Sequence, residues 1–327
     1  MAVLVSGGAG YIGSVCVERL LAAGEDVVVL DDLSRGHREA LAPGARFVEG
    51  DLRRSADLDR AFAAAAVDCV MHFAAHSQVP ESMADPGKYF GDNVGGGVAL
   101  LEAMRRHGAR DFLFSSTAAV YGSPRTIPIR EDDPTEPTNP YGESKLMLET
   151  VLRWYGVRHG FRHVALRYFN AAGATETHGE DHEPETHLIP IVLDAAAGKR
   201  EAVEVYGEDY ETPDGTCVRD YIHVGDLAEA HRLALGVLRA GRTGVYNLGN
   251  GEGFSVRQVI ETARKVTGRE IRARVGPRRL GDPPVLVASS ERARAELGWR
   301  PEHASLEAIV ASAWRWRLEH PHGYRKG

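Results

Sequence analysis

Short apolar runs alternate with helical patterns through the first half of the chain. Val3-Leu4-Val5 runs into a glycine-rich stretch, after which Ile12, Val15 and Leu20 recur at helical spacing. The same reading predicts further strands at 27–30, 46–48, 69–73, 112–114 and 164–167, and helices at about 56–66, 89–107 and 140–159. Such alternation is typical of right-handed βαβ crossovers, and therefore of a parallel sheet covered by helices on both faces.

A glycine-rich turn joins the first predicted strand to the first helix. Gly7 would allow a sharp turn, Gly10 a close approach of the backbone to a pyrophosphate, and Gly13 close packing of helix on strand. The free N–H groups and the dipole at the start of the helix favour phosphates. Asp31 ends the second predicted strand, 18 residues after Gly13, about where an acid binds the ribose hydroxyls of a dinucleotide. We therefore predict an α/β fold of the Rossmann type, with a doubly wound parallel sheet that binds a dinucleotide.

The regular alternation stops after Asn170, and a long polar stretch at 173–187 is followed by shorter elements. Residues 1–170 are predicted to form the dinucleotide-binding domain. Residues 171–327 are predicted to form mainly a smaller α/β substrate-binding lobe. A segment near 219–250, beginning with a strand at 219–224 and the helix after it, is expected to return to the first domain. The two lobes would then be interleaved.

Tyr141 and Lys145 lie four residues apart and share one face of a predicted helix. A tyrosine with its usual pKa of about 10 is a poor base at neutral pH, but a nearby ammonium favours the phenolate. Tyr141 could then accept a proton from an alcohol while hydride leaves the adjoining carbon. Thr117, at the end of a predicted strand, would hydrogen-bond the same hydroxyl. Because the carboxyl ends of parallel strands share one edge, we expect a single groove there.

Together these motifs resemble the extended short-chain dehydrogenases/reductases and, within them, the family of UDP-glucose (UDP-galactose) 4-epimerases. The resemblance rests on Gly-x-x-Gly-x-x-Gly, the Ser-Ser-Thr run that ends at Thr117, Tyr-x-x-x-Lys, and Leu-Arg-Tyr-Phe-Asn at 166–170. Stretches at 214–224, 246–249, 278–282 and 320–324 extend it almost from end to end. It implies bound NAD, a UDP-sugar substrate, and a homodimer formed through the helices around 89–107 and 141–159.

The resemblance also implies two overlapping sets of binding residues. For NAD they are Gly7, Gly10, Tyr11, Ile12, Gly13, Asp31, Asp32, Asp51, Leu52, Phe73, Ala74, Asn93, Ser115, Tyr141, Lys145 and Tyr168. For the nucleotide-sugar they are Thr117, Tyr141, Asn170, His187, Leu188, Tyr206, Arg219, Arg279 and Asp282. Asp31 should favour NAD, because its carboxylate would repel a 2′-phosphate.

The implied reaction is redox-neutral. Tyr141 would deprotonate the sugar 4-hydroxyl while C4 passes hydride to NAD, with Thr117 and Lys145 as the other catalytic residues. The 4-keto sugar would turn over in the pocket and take hydride back on its opposite face. Since there is no net consumption of cofactor, NAD is expected to stay bound.

The choice of sugar is left open by the same comparison. Related dehydratases carry an Asp-Glu pair directly after the threonine, where this chain has Ala118 and Ala119, so dehydration is not expected. Epimerases of UDP-glucuronate, UDP-pentoses or UDP-N-acetylhexosamines need only a different sugar pocket. Leu286 stands where bulky aromatics would exclude N-acetylated sugars, and its intermediate size weakly favours plain hexoses.

A lysine that many members carry just after the Phe-Ala pair is absent from 75–79. A non-catalytic NAD-binding sensor is the alternative from another functional class.

Composition limits which binding partners and which cellular location we expect for the protein. The apolar and charged fractions, 43% and 26%, are those of an ordinary globular protein. The net charge is −7 and no long cluster of Lys and Arg occurs, which argues against nucleic acid and anionic membranes as partners. Without a spanning apolar run or a basic leader at its start, the chain is expected to be cytoplasmic. Its three scattered cysteines are expected to be reduced and buried.

Three histidines, His178, His182 and His187, stand among acidic residues in the polar stretch at 173–187. Their spacing matches no standard set of metal ligands. The sequence therefore predicts a solvated polar loop here and no metal site.

Overall fold

The structure is a computed structural model that describes residues 1–279 and 282–324. Its strands are β1 Ala2–Ser6, β2 Asp26–Asp31, β3 Arg46–Glu49, β4 Val67–His72, β5 Asp111–Thr117, β6 Arg162–Tyr168, β7 Asn170–Ala172, β8 Val203–Tyr206, β9 Val218–His223, β10 Gly244–Leu248, β11 Gly253–Ser255, β12 Ala273–Gly276 and β13 Val285–Leu286. Its α-helices are α1 Tyr11–Ala22, α2 Ser55–Ala63, α3 Val79–Ala84, α4 Pro86–Tyr89, α5 Gly96–His107, α6 Pro140–His159, α7 Leu188–Ala196, α8 Val224–Arg239, α9 Val256–Thr267 and α10 Leu306–Glu319. Short 3₁₀ turns lie at Arg38–Ala40 and Ala118–Tyr121, and π-helical turns at Phe90–Gly95 and Ala293–Leu297.

A parallel sheet with the strand order β10-β6-β5-β4-β1-β2-β3 forms the centre of the molecule. The chain winds from β1 outward to β3, then crosses back and winds outward in the other direction from β4. The predicted Rossmann-type α/β fold is thus confirmed. In such sheets a crevice opens beyond the carboxyl ends of the strands where the winding reverses, which here lies between β1 and β4.

Alternate residues of the central strands feed two separate apolar layers. Val3 and Val5 pack with Leu20 of α1 and Leu235 of α8 on one face. Leu4 points to the other face, into a layer built with α2, α5 and α6. A shift of register by one residue would reverse both layers, so burial on two faces fixes the pairing and aligns the strand ends that form the crevice.

The second part of the molecule has its own sheet and core. β9 pairs with β7, β11 and β13, while β8 pairs with β12, and α7, α9 and α10 cover an apolar cluster beside them. The prediction that the strand at 219–224 returns to the first lobe was wrong for the strand itself. Its buried Asp220 accepts hydrogen bonds from the backbone N–H groups of Asn250, Gly251 and Ala288, which hold β9 in the smaller sheet. α8 and β10 do return, to pack on α1 and to pair with β6.

Two predicted helices differ in their bounds. The helix predicted at 56–66 ends at Ala63, and the one predicted at 89–107 is interrupted by the π-helical turn before α5. A Cβ on Gly97 would lie 2.7 Å from Cδ2 of Leu148, so α5 and α6 pack with almost no space between them. None of the helices in the two described segments combines the length and apolar character needed to cross a bilayer.

A buried ion pair stands behind the carboxyl end of β5. Nη2 of Arg167 lies 2.5 Å from Oε2 of Glu149, and the two side chains are 8% and 10% exposed. Ser116 donates to the same carboxylate, and Arg167 also donates to the hydroxyl of Tyr121 at 2.9 Å. Removal of one partner of such a pair leaves an uncompensated charge in the interior.

We expect Glu149→Gln to lower the free energy of unfolding by about 3–5 kcal/mol, because Arg167 would lose its buried counter-charge. Urea unfolding followed by circular dichroism measures this. Glu291→Gln is the matched control, since Glu291 is 82% exposed and its contact with Arg130 is 4.0 Å long. An equal loss of stability in both variants would contradict the importance of the buried pair.

Candidate active site

One cleft of about 1330 Å³ runs along the carboxyl edge of the large sheet and continues between it and the smaller sheet. Every residue of the two predicted binding sets lines it, from Gly7 at one end to Asp282 at the other. The structure thus brings all of them to one surface. Contact of each with a ligand stays a prediction.

The glycine-rich turn lies where three backbone segments cross. Gly7 has a φ of +76°, and a Cβ on it would lie 2.5 Å from the backbone nitrogen of Ala74. A Cβ on Gly13 would lie 2.1 Å from the carbonyl oxygen of Gly7. Helix α1 begins at Tyr11 with no side-chain cap from Gly10, so its first N–H groups are available to an anion in the cleft.

Three carboxylates lie at the ends of β2 and β3. Asp31 is 8% exposed and accepts hydrogen bonds from the N–H groups of Ala9 and Leu33, both at 2.9 Å. Burial raises the pKa of Asp31, although these two hydrogen bonds act in the opposite direction. Asp32 accepts from the N–H of Ser34, and the Arg53 guanidinium lowers the pKa of Asp51. Asp31 is therefore fixed beside the turn, as recognition of a ribose requires.

The first turn of α6 packs directly on the end of β5. Asn139 caps the helix by accepting from the N–H of Gly142 at 2.9 Å. A Cβ on Gly142 would lie 2.5 Å from the carbonyl oxygen of Ala119, so this position has no space for a side chain. The close packing places the side chain of Tyr141 beside that of Thr117.

Lys145 is 3% exposed and lies deeper in the same wall. Its Nζ donates to the carbonyl oxygen of Ser115 at 2.8 Å and lies 5.0 Å from the ring centre of Phe114. Burial lowers the pKa of Lys145 to about 7. Burial also raises the pKa of Tyr141, while its hydrogen bond with Thr117 lowers it. A positive charge brought beside Tyr141 would favour its phenolate.

Further predicted cofactor residues flank this pair. Phe73 and Ala74 follow β4, and both of their N–H groups donate to the carbonyl oxygen of Ser6. The hydroxyls of Ser115 and Tyr168 hydrogen-bond each other across β5 and β6. These contacts give the floor of the cleft a fixed shape.

Asn93 connects the loop after β4 to helix α6. Its amide oxygen accepts from the N–H of His76, and its Nδ2 donates to the carbonyl oxygen of His76 and to Oγ of Ser144. Oγ of Ser144 in turn donates to the carbonyl oxygen of Tyr141 at 2.7 Å. Asn93 therefore also supports the loop that lacks the family's lysine, where His76 contacts Asp92 at 2.9 Å.

The far end of the cleft collects positive charge. Arg219 is 14% exposed and pairs with Asp282 at 2.9 Å, and the guanidinium of Arg279 lies 3.9 Å from the ring centre of Tyr206. Asn170 donates to the backbone carbonyl of β9. Helix α7 begins at Leu188 without a side-chain cap from the preceding residue. Two guanidinium groups and the free N–H groups of a helix are the usual elements of a diphosphate site.

The polar stretch at 173–187 is not the solvated loop that the sequence predicted. The carboxylates of Glu180 and Glu185 are only 8% and 9% exposed. Nδ1 of His187 lies 2.9 Å from Glu180 and 2.8 Å from Glu185, and Nδ1 of His182 lies 3.1 Å from Glu180. His178 is also buried, with Nε2 3.0 Å from the carbonyl oxygen of Ala40. The sequence prediction was wrong because the charges of these acids and histidines neutralise one another, which allows their side chains to be buried.

The charges in this cluster shift its pKa values strongly. Burial raises the pKa of Glu180, but the neighbouring imidazoles outweigh it and bring that pKa to about 2. Burial lowers the pKa of His187, but Glu180 and Glu185 outweigh it and raise that pKa well above its usual value. The same balance raises the pKa of His182. These shifts favour an ionised Glu180 beside protonated His182 and His187.

Residues 181–184 bridge the cleft above the glycine-rich turn. His37 contacts the carbonyl oxygen of Asp181 at 2.8 Å, and Arg35 donates to that of Glu183. From the opposite side, Nε2 of Gln78 donates to the carbonyl oxygen of Pro184 at 3.0 Å. Sequence reasoning missed His37 and Gln78, because contacts to backbone carbonyls leave no motif.

Comparisons with known proteins agree with this architecture. Residues 3–249 match the model of the NAD dependent epimerase/dehydratase family. The chain is 55% identical over 327 residues to UDP-glucose 4-epimerase of Lacticaseibacillus casei, a match that covers 99% of each protein. The crystal structure of UDP-glucose 4-epimerase from Brucella ovis in complex with NAD matches with a TM-score of 0.93, 46% identity, and coverage of 96% of this chain and 98% of that one.

A further solved structure is UDP-glucose 4-epimerase from Bifidobacterium longum in complex with NAD⁺ and UDP. It matches with a TM-score of 0.93 and 39% identity, over 99% of this chain and 100% of that one. Family match, full-length identity and fold all agree, and the chain belongs to the NAD dependent epimerase/dehydratase family.

Proposed function

We propose that this protein interconverts UDP-glucose and UDP-galactose by transient oxidation of the sugar at C4 with tightly bound NAD. One observation carries the proposal: Tyr141 and Thr117 meet at the end of β5, in a cleft that has a dinucleotide turn at one end and two arginines at the other. The names of the full-length relatives support the same activity.

The residues at the glycine-rich turn fit a dinucleotide. Side chains at Gly7 and Gly13 would fill the space where the backbone segments cross, and the uncapped start of α1 offers N–H groups to a pyrophosphate. Asp31 is positioned for the adenosine ribose, and its carboxylate would repel a 2′-phosphate. NAD, when bound, supplies the acceptor for the hydride of C4.

Proton transfer falls to Tyr141. Its phenolate oxygen would take the proton of the sugar 4-hydroxyl, and the resulting hydroxyl would return that proton after the sugar has turned over. The side chain of Thr117 would hydrogen-bond the sugar 4-hydroxyl and so hold it in position for this transfer. Lys145 would favour the phenolate electrostatically, and the carbonyl oxygen of Ser115 fixes its ammonium in place.

The nucleotide anchors the substrate while the sugar rotates. Arg219 and Arg279 would bind the diphosphate through charge-assisted hydrogen bonds. Leu286 pairs in register with Arg219 and lines the same cleft, which supports its predicted role in sugar selection. Its size favours plain hexoses. We also propose a division into a cofactor domain, which comprises 1–170 and the returning α8 and β10, and a substrate lobe formed by the rest of 171–327, which includes β9.

Helices α5 and α6 are proposed to form a homodimer interface. Met147, Trp154 and Val157 on α6 are 41%, 57% and 74% exposed, and their spacing of seven and three places them on one face. Exposed apolar surface of this kind is typical of an interface between proteins.

We also infer a cytoplasmic location, because all three cysteines are free and buried.

Purified protein incubated with UDP-galactose and no added cofactor is expected to produce UDP-glucose, since NAD should remain bound through purification. Chromatography of the nucleotide-sugars measures the conversion. Absence of conversion after NAD has been added would contradict the proposal, and UDP-glucuronate, UDP-pentoses and UDP-N-acetylhexosamines would then be tried.

Tyr141→Phe is expected to lower kcat by about 10²–10⁴-fold, the range that general acid–base catalysis contributes, while the variant folds and retains NAD. Steady-state kinetics and the absorbance of released cofactor measure both properties. Tyr155→Phe is the control on the same helix, since its hydroxyl contacts Glu102 outside the cleft. Wild-type turnover in Tyr141→Phe would remove this residue as the base.

Trp154→Asp combined with Val157→Asp is expected to shift the protein from dimer to monomer, because two charges would be buried in the interface. Sedimentation velocity measures the mass. Leu318→Asp is the control, since Leu318 is 59% exposed on α10, away from α6. An unchanged dimer in the double variant would contradict the assignment of this surface.

A further inference from the structure

Four side chains of residues 180–187 form a compact cluster at the edge of the cleft. Ligand-type atoms of Glu180, His182, Glu185 and His187 all lie within 4.8 Å of one another. Among the described residues, no lysine or arginine comes within 4.0 Å of either carboxylate, so the two imidazoles are the cations that compensate them. The cluster needs either two protons or a divalent metal ion to offset its two negative charges.

The distances favour protons. Nδ1 of His187 lies 2.8 Å and 2.9 Å from the two carboxylates, and Nδ1 of His182 lies 3.1 Å from Glu180. These are ordinary lengths for charge-assisted hydrogen bonds. Tetrahedral metal ligands at about 2.0–2.2 Å from an ion lie roughly 3.3–3.6 Å from one another. Oε1 of Glu185 also accepts from the N–H groups of Thr186 and His187, which fixes it as a hydrogen-bond acceptor.

One nitrogen of His187 remains available. Its side chain is 41% exposed, it lines the cleft, and its Nε2 makes no hydrogen bond with any part of the chain that the structure describes. The residue stands at the N-terminus of α7, whose first N–H groups carry no side-chain cap. Arg219 and Arg279 line the same cleft.

We propose that Glu180 and Glu185 act as positioning residues that keep His187 doubly protonated, so that its Nε2–H binds the diphosphate of the nucleotide-sugar as a third cation. This inference rests on the proposed function, since it takes a nucleoside-diphosphate-sugar as the ligand. Both carboxylates contact Nδ1 of His187. They therefore stabilise the positive charge of the ring and leave its Nε2 available to the substrate.

The groups that face His187 are few. Glu180, Glu185 and His182 lie in its own segment, Tyr11 faces His182 from α1, and the two arginines share the cleft. Burial and the charge of Glu180 raise the pKa of Tyr11, so its hydroxyl stays neutral near pH 7. Lys145 lines the same cleft, and burial lowers its pKa to about 7, so it titrates in this range in wild type and Glu180→Gln alike. The difference between the two proteins in their change from pH 6 to pH 8 therefore reports on the imidazoles.

The sign of the pH effect follows from the charge. In the wild type the raised pKa of His187 keeps the imidazolium present through neutral pH. In Glu180→Gln, loss of one carboxylate lets that pKa fall toward its ordinary value of about 6.5. The cation is then present at pH 6 and lost at pH 8. The phosphates of UDP-glucose do not titrate in this range, which makes this compound a clean probe.

Calorimetry with UDP-glucose at pH 6 and pH 8, in buffer containing a chelator, tests the inference. We expect the Kd of wild type to change less than threefold, and that of Glu180→Gln to match wild type at pH 6 but rise about tenfold at pH 8. His187→Gln should bind about tenfold more weakly at both pH values. Glu176→Gln, at an exposed carboxylate of the same segment, is the control and should behave as wild type.

Four outcomes would overturn the inference. Equal weakening of Glu180→Gln at both pH values would show a merely structural role for the carboxylate. Wild-type binding that is present in a parallel titration without chelator and lost in the chelator buffer would show that the cluster holds a metal ion. If wild type failed to bind UDP-glucose at all, the proposed function would fail with it, whereas wild-type epimerisation with pH-independent binding of Glu180→Gln would overturn the inference alone.

Discussion

The crossing of three backbone segments at the glycine-rich turn is the constraint on which the rest of the cleft depends. The end of β1, the end of β4 and the start of α1 approach one another so closely that a methyl group on Gly7 or Gly13 would overlap backbone atoms. This approach brings the first N–H groups of α1 to the crevice at the reversal of the winding. It also fixes the position of Phe73 and Ala74, which form part of the floor of the cleft.

Three buried ionisable side chains near this crossing each have a hydrogen-bonding or charged partner. Asp31 has two backbone N–H groups, Lys145 has the carbonyl oxygen of Ser115, and Glu180 has two imidazoles. Each partner fixes an orientation as well as a charge, since a buried polar group without its hydrogen bond is costly. The buried charges of the cleft therefore have defined positions before any ligand arrives.

Sequence reasoning succeeded where a local pattern determines the structure. The glycine spacing, the apolar strands and the four-residue interval between Tyr141 and Lys145 all refer to neighbours along the chain, and the strand ends followed from topology. It failed for contacts between distant segments. Nothing near Asp220 in the sequence indicates that its carboxylate accepts hydrogen bonds from the N–H groups after β10 and β13. The stretch with His187 looked polar, and only the pairing of its acids and histidines allows it to be buried.

The bridge formed by residues 181–184 has a consequence for which sequences could maintain it. His37, Arg35 and Gln78 all contact carbonyl oxygens of its backbone, and a carbonyl oxygen is present whatever the side chain. These contacts from the two sides of the cleft therefore do not depend on which side chains the bridge carries. A second set does, because the carboxylate of Asp181 accepts from the N–H of Tyr324 and the ring of His182 contacts Glu180. The span over the glycine-rich turn thus combines contacts that any sequence of the bridge would provide with contacts that belong to two of its side chains.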